Sequence, residues 1–375
     1  MSLLYDLFFD YTLRNVALGT LLLGLGSGAI GSFMTLRGES LIGDAIAHAT
    51  LPGVVLAYLL TSTKDPLLLL SGAAIAGILG IGAIMGLTRT TKIDSDGANG
   101  IILSIFFGFG LLLLTYIQKL PDASQAGLDR FIFGQAATIV ASDVALIAIV
   151  QGVVLLTLIL FFKELKSSTF DPQSTTVMGF NRKIIDAIFA TLLVAVIVTG
   201  LQTVGVILIS ALLVTPAAAA RQWTHSLKTM VILSSLFSGI SGMVGSLISA
   251  TEMNLPTGPI IVLVLTAIVV ISLLFGSRRG LVIKKVSQYR RQGHFDERRI
   301  LLALDELSRS HDQRGLYHSH HTISLLVGER HSMRRLLAKL VKEGAILKEG
   351  DAYLLSKQGE ATVASLALEE VHHDR

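Results

Sequence analysis

Nine stretches of apolar residues, each near the length needed to cross a hydrocarbon layer of about 30 Å, dominate this sequence and leave few folds open to it. They fall at 13–35, 41–60, 66–87, 98–117, 140–162, 184–200, 206–220, 229–251 and 257–276. The seventh is short and contains Pro216, which suits a broken or re-entrant segment better than a full crossing. The expectation is an all-α polytopic membrane protein of eight or nine helices. The N-terminus has no basic region followed by a small-residue cleavage site, and Leu13–Thr35 is long enough to stay as a span, so no removed signal peptide is expected.

Charge divides the chain in two. Residues 1–276 hold 13 Lys/Arg and 14 Asp/Glu, whereas the remaining 99 hold 18 and 13, so only the second piece has the surface of an aqueous domain. The reading is a membrane domain over 1–276, a basic linker over 277–294 and a small cytoplasmic domain over 295–375. Alternate loops of the membrane piece carry Arg37, Arg89, Lys92, Lys163, Lys166, Arg182, Lys183, Arg221 and Lys228, against Lys64, Lys119 and Arg130 on the other side. The basic set is therefore assigned to the cytoplasm, with the tail inside and the first residues outside. The absence of cysteine excludes disulfides, thiolate metal sites, iron–sulfur clusters and a cysteine nucleophile. The many glycines of the first and third spans are assigned to close helix packing alone.

Ionisable residues inside spans are rare here, and each costs roughly 2.5–3.5 kcal/mol at a helix centre on insertion scales. Asp44 and His48 are four residues apart in the second span and share one helical face. A carboxylate and a neutral imidazole form a borderline N/O donor pair suited to Mn²⁺, Fe²⁺ or Zn²⁺. Two ligands are too few, and a second copy facing the first across a pore would double the set. The other reading of the same spacing has Asp44 paired with Arg37 near the interface and His48 bonded to a neighbouring helix.

Four separated motifs carry a resemblance. Arg37-Gly38 followed by Gly43 through Gly53, the segment Gly127 through Ala137, Val204-Gly205-Val206 with Leu213 through Arg221, and Leu255 through Pro259 together resemble the manganese/zinc/iron ABC transporter permease family, particularly its manganese/iron branch. The resemblance covers about residues 10–276 and implies that Asp44 and His48 form the metal site of the translocation path. It also implies a separate ABC ATPase, an extracytoplasmic metal-binding protein and a second permease, identical or related. The residues agree on the first of these, because the chain has no G-x-x-x-x-G-K-[ST] loop to hold ATP. In the cytoplasmic loop from Lys163 to Lys183, Asp171-Pro172 starts a short helix that Gly179 stops. It resembles the coupling helix that docks into such an ATPase, with Val177, Met178 and Phe180 as the apolar plug. Asp129 and Glu252 read as ordinary outer-loop charges, with contact to an extracytoplasmic binding protein as the other reading.

The tail reads as helix, helix, helix, hairpin, helix. Ile300, Leu301, Leu304 and Leu307 recur at helical spacing after Asp296-Glu297, a short helix covers 322–327, and a third covers 332–343. In the third, Met333, Leu336, Leu337 and Leu340 share a face while Arg335, Lys339 and Lys342 lie opposite, and a hairpin over 346–355 and a closing helix over 358–370 follow. This is the pattern of a winged helix, whose third helix commonly enters a DNA groove. It resembles the DNA-binding part of diphtheria-toxin-repressor-type regulators over about residues 295–370. The resemblance stops short of that family's dimerisation and metal-sensing helices, so independent repressor activity is not expected; DNA binding and a regulatory or ATPase-contacting role are both open. Eight of the ten histidines lie in the tail, with His318, His320 and His321 clustered as solvated residues or as a regulatory metal site.

The sequence thus points to a non-enzymatic permease subunit of an ATP-driven importer in a bacterial inner membrane. It would move manganese or iron, with zinc third, as substrate and hold no permanent cofactor. The reading of a different class is a membrane-tethered, metal-responsive transcription regulator.

Overall fold

A computed structural model describes residues 10–63, 65–119, 139–251, 257–277, 280–310, 317–327 and 333–373. The chain divides into two compact units, Met1–Leu281 and Val282–Arg375.

The first unit is helical. Its elements are α1 Tyr11–Leu36, α2 Ile42–Ala49, α3 Leu51–Thr61, α4 Pro66–Thr90, α5 Ser95–Gln118, α6 Ala141–Leu160, α7 Phe162–Phe170, α8 Pro172–Val177, α9 Arg182–Ala220, α10 Leu227–Thr251 and α11 Thr257–Phe275. Among the described residues, nine helical runs are long and apolar enough to cross a membrane, in agreement with a polytopic membrane protein. Local chemistry sets the boundaries. Asp10, Asp65 and Asp94 accept hydrogen bonds from the backbone of Leu13, Leu67 and Gly97, satisfying donors that open α1, α4 and α5.

The second span, 42–61, keeps helical dihedrals through Thr50, and α2 and α3 are divided there only because Pro52 has no N–H to continue the ladder. Helix α7 was not anticipated: the polar stretch after Leu160 continues helically instead of forming a loop.

The sixth and seventh spans join in α9, at the place where the sequence suggested a broken or re-entrant segment. It consists of two helical arms joined at Gly205, whose φ 82° and ψ 169° are a non-helical conformation essentially restricted to glycine. There the chain doubles back. Gly200 lies against Ile209, nine positions on, and against Leu23 near the middle of α1. From that depth the second arm runs beside α1 toward its C-terminal end. Leu213 meets Gly31, and Ala217 and Ala220 cluster with Leu36. Residues 206–220 therefore return to the end at which Arg182 started.

Gly31 permits this approach, since a Cβ there would strike the Leu213 carbonyl. Pro216 withdraws the N–H that Leu212 would use, and the Ser238 hydroxyl of α10 donates to the Leu212 carbonyl instead at 3.3 Å. Helix α10 packs antiparallel along α1, where the Ser234 hydroxyl donates to the Gly28 carbonyl at 2.8 Å.

The second unit holds α12 Leu281–Ser310, β1 His318–Ser319, α13 His320–Val327, α14 Met333–Lys342, β2 Ile346–Glu349, β3 Ala352–Leu355 and α15 Lys357–His373. Helix α12 begins well before Asp296, because no proline or turn sequence interrupts residues 281–296. The strands form an antiparallel sheet in the order β1-β3-β2, with His318 opposite Tyr353 and Ile346 opposite Leu355. Ile300, Leu304, Ile323, Met333, Leu337 and Leu340 build the core. The expected apolar faces of α12 and α14 are the ones buried, whereas β1 carries too little pattern in two residues to be read in advance.

Candidate functional site

Helix α2 is the first part of the 42–61 span, and its small residues Gly43, Ala45, Ala47 and Ala49 let it sit deep among α5, α9 and α4. That leaves one face for Asp44 and His48. The His48 Nε2 is 3.6 Å from Asp44 Oδ1, and the side chains are 19% and 42% exposed respectively. The imidazole meets the ring of Phe107 on α5 edge to face, with centroids 4.6 Å apart. Its Nδ1 is buried without a hydrogen-bond partner.

A third side chain joins them. The Ser210 hydroxyl, on the returning arm of α9, donates to Asp44 Oδ1 at 3.0 Å. Sequence reading missed Ser210, because a serine in an apolar helix carries no signal of its own until the reversal at Gly205 brings it to Asp44. The site is thus two donor side chains and a hydroxyl, with Asp44 the most open of its two titratable groups. Among the described residues no three His, Asp or Glu side chains gather as a metal site.

The alternative pairing of Asp44 with Arg37 does not occur. The Arg37 guanidinium turns to Asp186 at 3.2 Å, donates to the Thr169 hydroxyl at 3.3 Å and covers the Phe189 ring at 4.2 Å.

In the 163–183 segment, α8 starts where Asp171 accepts from the Ser174 backbone at 2.9 Å and ends where Gly179 adopts φ 85°. Val177 and Met178 project from it at 88% and 63% exposure. Phe180 does not join them: it is half-buried and packs against the main core, because the turn at Gly179 redirects the chain inward.

In the second unit, Lys339 donates to Glu297 at 2.6 Å and lies 3.6 Å from Glu343. The hydrogen bond to Glu297 holds its ammonium above the usual lysine range. Lys342 is exposed, and the side chain of Arg335 lies outside the described residues. His318 is buried on β1, an edge strand of the sheet, whereas His321 is exposed on α13, and with His320 they form no metal-holding group. The segment 127–137 with Asp129, and Glu252, also lie outside the described residues.

A profile of the ABC 3 transport family matches residues 9–276. The chain belongs to the ABC 3 transport family. Among its relatives in that family, the zinc transport system membrane protein TroC of Treponema pallidum is 54% identical over 282 residues, covering 75% of this chain and 95% of TroC. The manganese transport system membrane protein MntC of Bacillus subtilis is 46% identical over 291 residues, covering 78% of this chain and 67% of MntC. Among solved structures, PsaBC from Streptococcus pneumoniae in complex with Fab superposes with a TM-score of 0.66 at 33% identity, over 74% of this chain and 96% of that one. The ABC 3 match covers the first unit and leaves the second to be interpreted from its own residues. Like its relatives, this ABC 3 chain is a permease subunit and not an enzyme.

Proposed function

We propose that the chain provides the translocation path of an ATP-driven importer for a divalent transition metal, with Asp44 and His48 as the cargo ligands. The observation that carries this reading is the convergence of a carboxylate oxygen and an imidazole nitrogen 3.6 Å apart on one face of a membrane-length helix. The relatives named above are transporters of zinc and of manganese, so the cargo belongs to that class with iron as the third candidate. A single copy supplies too few donors, and a second permease presenting the same pair would give two oxygens and two nitrogens. The exposed apolar pair Val177 and Met178 on α8 would dock into a separate ATPase, and an extracytoplasmic protein would deliver the metal.

The comparisons do not support the tethered-regulator alternative, since the relatives are transport subunits. The helix and hairpin order of the second unit supports the winged-helix reading. We read the unit as a cytoplasmic regulatory module in place of a DNA reader, because Lys339 is engaged by Glu297 and Glu343.

The test is uptake of radiolabelled manganese, iron and zinc by cells carrying the chain with its cognate ATPase and binding protein, comparing wild type with His48→Ala. Loss of uptake at normal membrane abundance is expected, and the metal affected names the cargo. Unchanged uptake of every metal would make the Asp44–His48 pair structural.

A further inference from the structure

The geometry points to Ser210 as a positioning residue for the cargo cation, holding the Asp44 carboxylate in the orientation that receives it; this rests on the reading of Asp44 and His48 as cargo ligands. The Ser210 hydroxyl donates to Oδ1, the same oxygen that faces His48 Nε2. Among the described residues no hydrogen bond to Oδ2 competes, so one oxygen is fixed by the protein and the other is left toward the open side of the pair. A carboxylate that ligates metal is itself oriented by an outer hydrogen bond, and such partners set affinity.

The hydroxyl also comes from a particular place. Ser210 lies five residues beyond the reversal at Gly205, on the returning one of two arms that together enter and leave the bundle from one end. Its own helix competes weakly for it, since the Val206 carbonyl is 3.4 Å away against 3.0 Å for Asp44. Small residues secure the arm at the neighbouring level, where Gly31 of α1 admits the Leu213 carbonyl and Gly43 of α2 lies against the Leu213 side chain. Helix α2 and the returning arm therefore meet at two successive levels, an apolar one at Leu213 and a polar one at Ser210. The polar contact is the one that reaches the cargo ligand.

The test is the concentration dependence of metal uptake, using the metal that the wild type takes up, in cells carrying the full chain with its ATPase and binding protein. Four chains are compared at matched membrane abundance: wild type, Ser210→Ala, Ser210→Thr and Asp44→Ala. Ser210→Ala is expected to raise the half-saturating concentration roughly 10–100-fold while retaining the maximal rate, as for loss of an outer partner of a metal ligand. Ser210→Thr keeps the hydroxyl and is expected to restore the wild-type value. If Ser210→Ala does not accumulate, Ser210→Cys, nearly the same size with a weaker donor, carries the same expectation. An unchanged half-saturating concentration in Ser210→Ala, or a loss confined to the maximal rate, overturns the role of Ser210 while total loss in Asp44→Ala keeps the cargo site. Full uptake by Asp44→Ala overturns the site itself, and the role of Ser210 with it.

Discussion

The Arg37 guanidinium and the Asp186 carboxylate form a largely buried ion pair, 3.2 Å between Nη1 and Oδ1, that ties the turn before α2 to the first arm of α9. The same guanidinium reaches Thr169 at the end of α7, so the helix carrying Asp44 and His48, the arm leading to Ser210 and the segment leading to α8 share one cation. Asp186 also takes a second, exposed partner in Arg182 at 3.4 Å.

Asp186→Ala is expected to destabilise the protein by about 3 kcal/mol, because it leaves the buried Arg37 charge without its partner. Arg182→Ala removes only an exposed pair and is expected to cost less than about 1 kcal/mol. Thermal unfolding of the purified protein in detergent checks the order, and equal losses would contradict it.

Glu39 neighbours this pair, and burial pushes its carboxyl above the ordinary value of 4.5, with Arg37 opposing the rise and Asp186 adding to it. The folded chain therefore holds that proton more tightly than the unfolded one. The stabilisation is complete below pH 4.5 and is lost as pH rises through the raised folded value. Glu39→Gln should lose less unfolding temperature than wild type between pH 4.5 and neutrality, and parallel curves would exclude this contribution.

Glycines differ sharply in what they permit. Gly31→Ala drives a methyl into the Leu213 carbonyl and is expected to reduce folded protein in the membrane, whereas nothing lies within 4 Å of a Cβ at Gly82. Gly82→Ala should be neutral or slightly stabilising, by up to about 1 kcal/mol, through the restricted unfolded chain. Fluorescence-detected size exclusion of the two variants separates these outcomes.

Met178→Glu places a charge on the exposed tip of α8 and is expected to abolish uptake at normal permease abundance, with the ATPase no longer recovered on the purified permease. Phe180→Ala instead removes a contact with the core and should lower unfolding temperature. If Met178→Glu transports normally, α8 is not the docking element.

Spans were legible because apolar length alone constrains a chain in lipid, and Asp44 and His48 stood out because charge there is rare. The α8 boundaries followed from Asp171, Pro172 and Gly179, whose chemistry is local. Other features, besides α7 and β1, were not legible in this way. The interrupted hydrogen-bond ladder at Thr50 was hidden within a continuous apolar run, although Pro52 marks it. Phe180 looked like part of the exposed plug because hydrophobicity does not say which way a residue faces beyond a turn. Ser210 depends on a contact 166 positions away in sequence, which no spacing rule on one helix can supply.

The doubling back at Gly205 bears on how the sidedness of this chain is to be mapped. Two helical arms that start and finish at one end contribute an even count to the parity of crossings, so the assignment of the termini is the same whether they are scored as a pair of spans or as none. Counting one arm and rejecting the other inverts every later loop. A reporter fused after Gly205 would truncate the excursion at its deepest point, whereas fusions before Arg182 and after Ala220 should give the same signal.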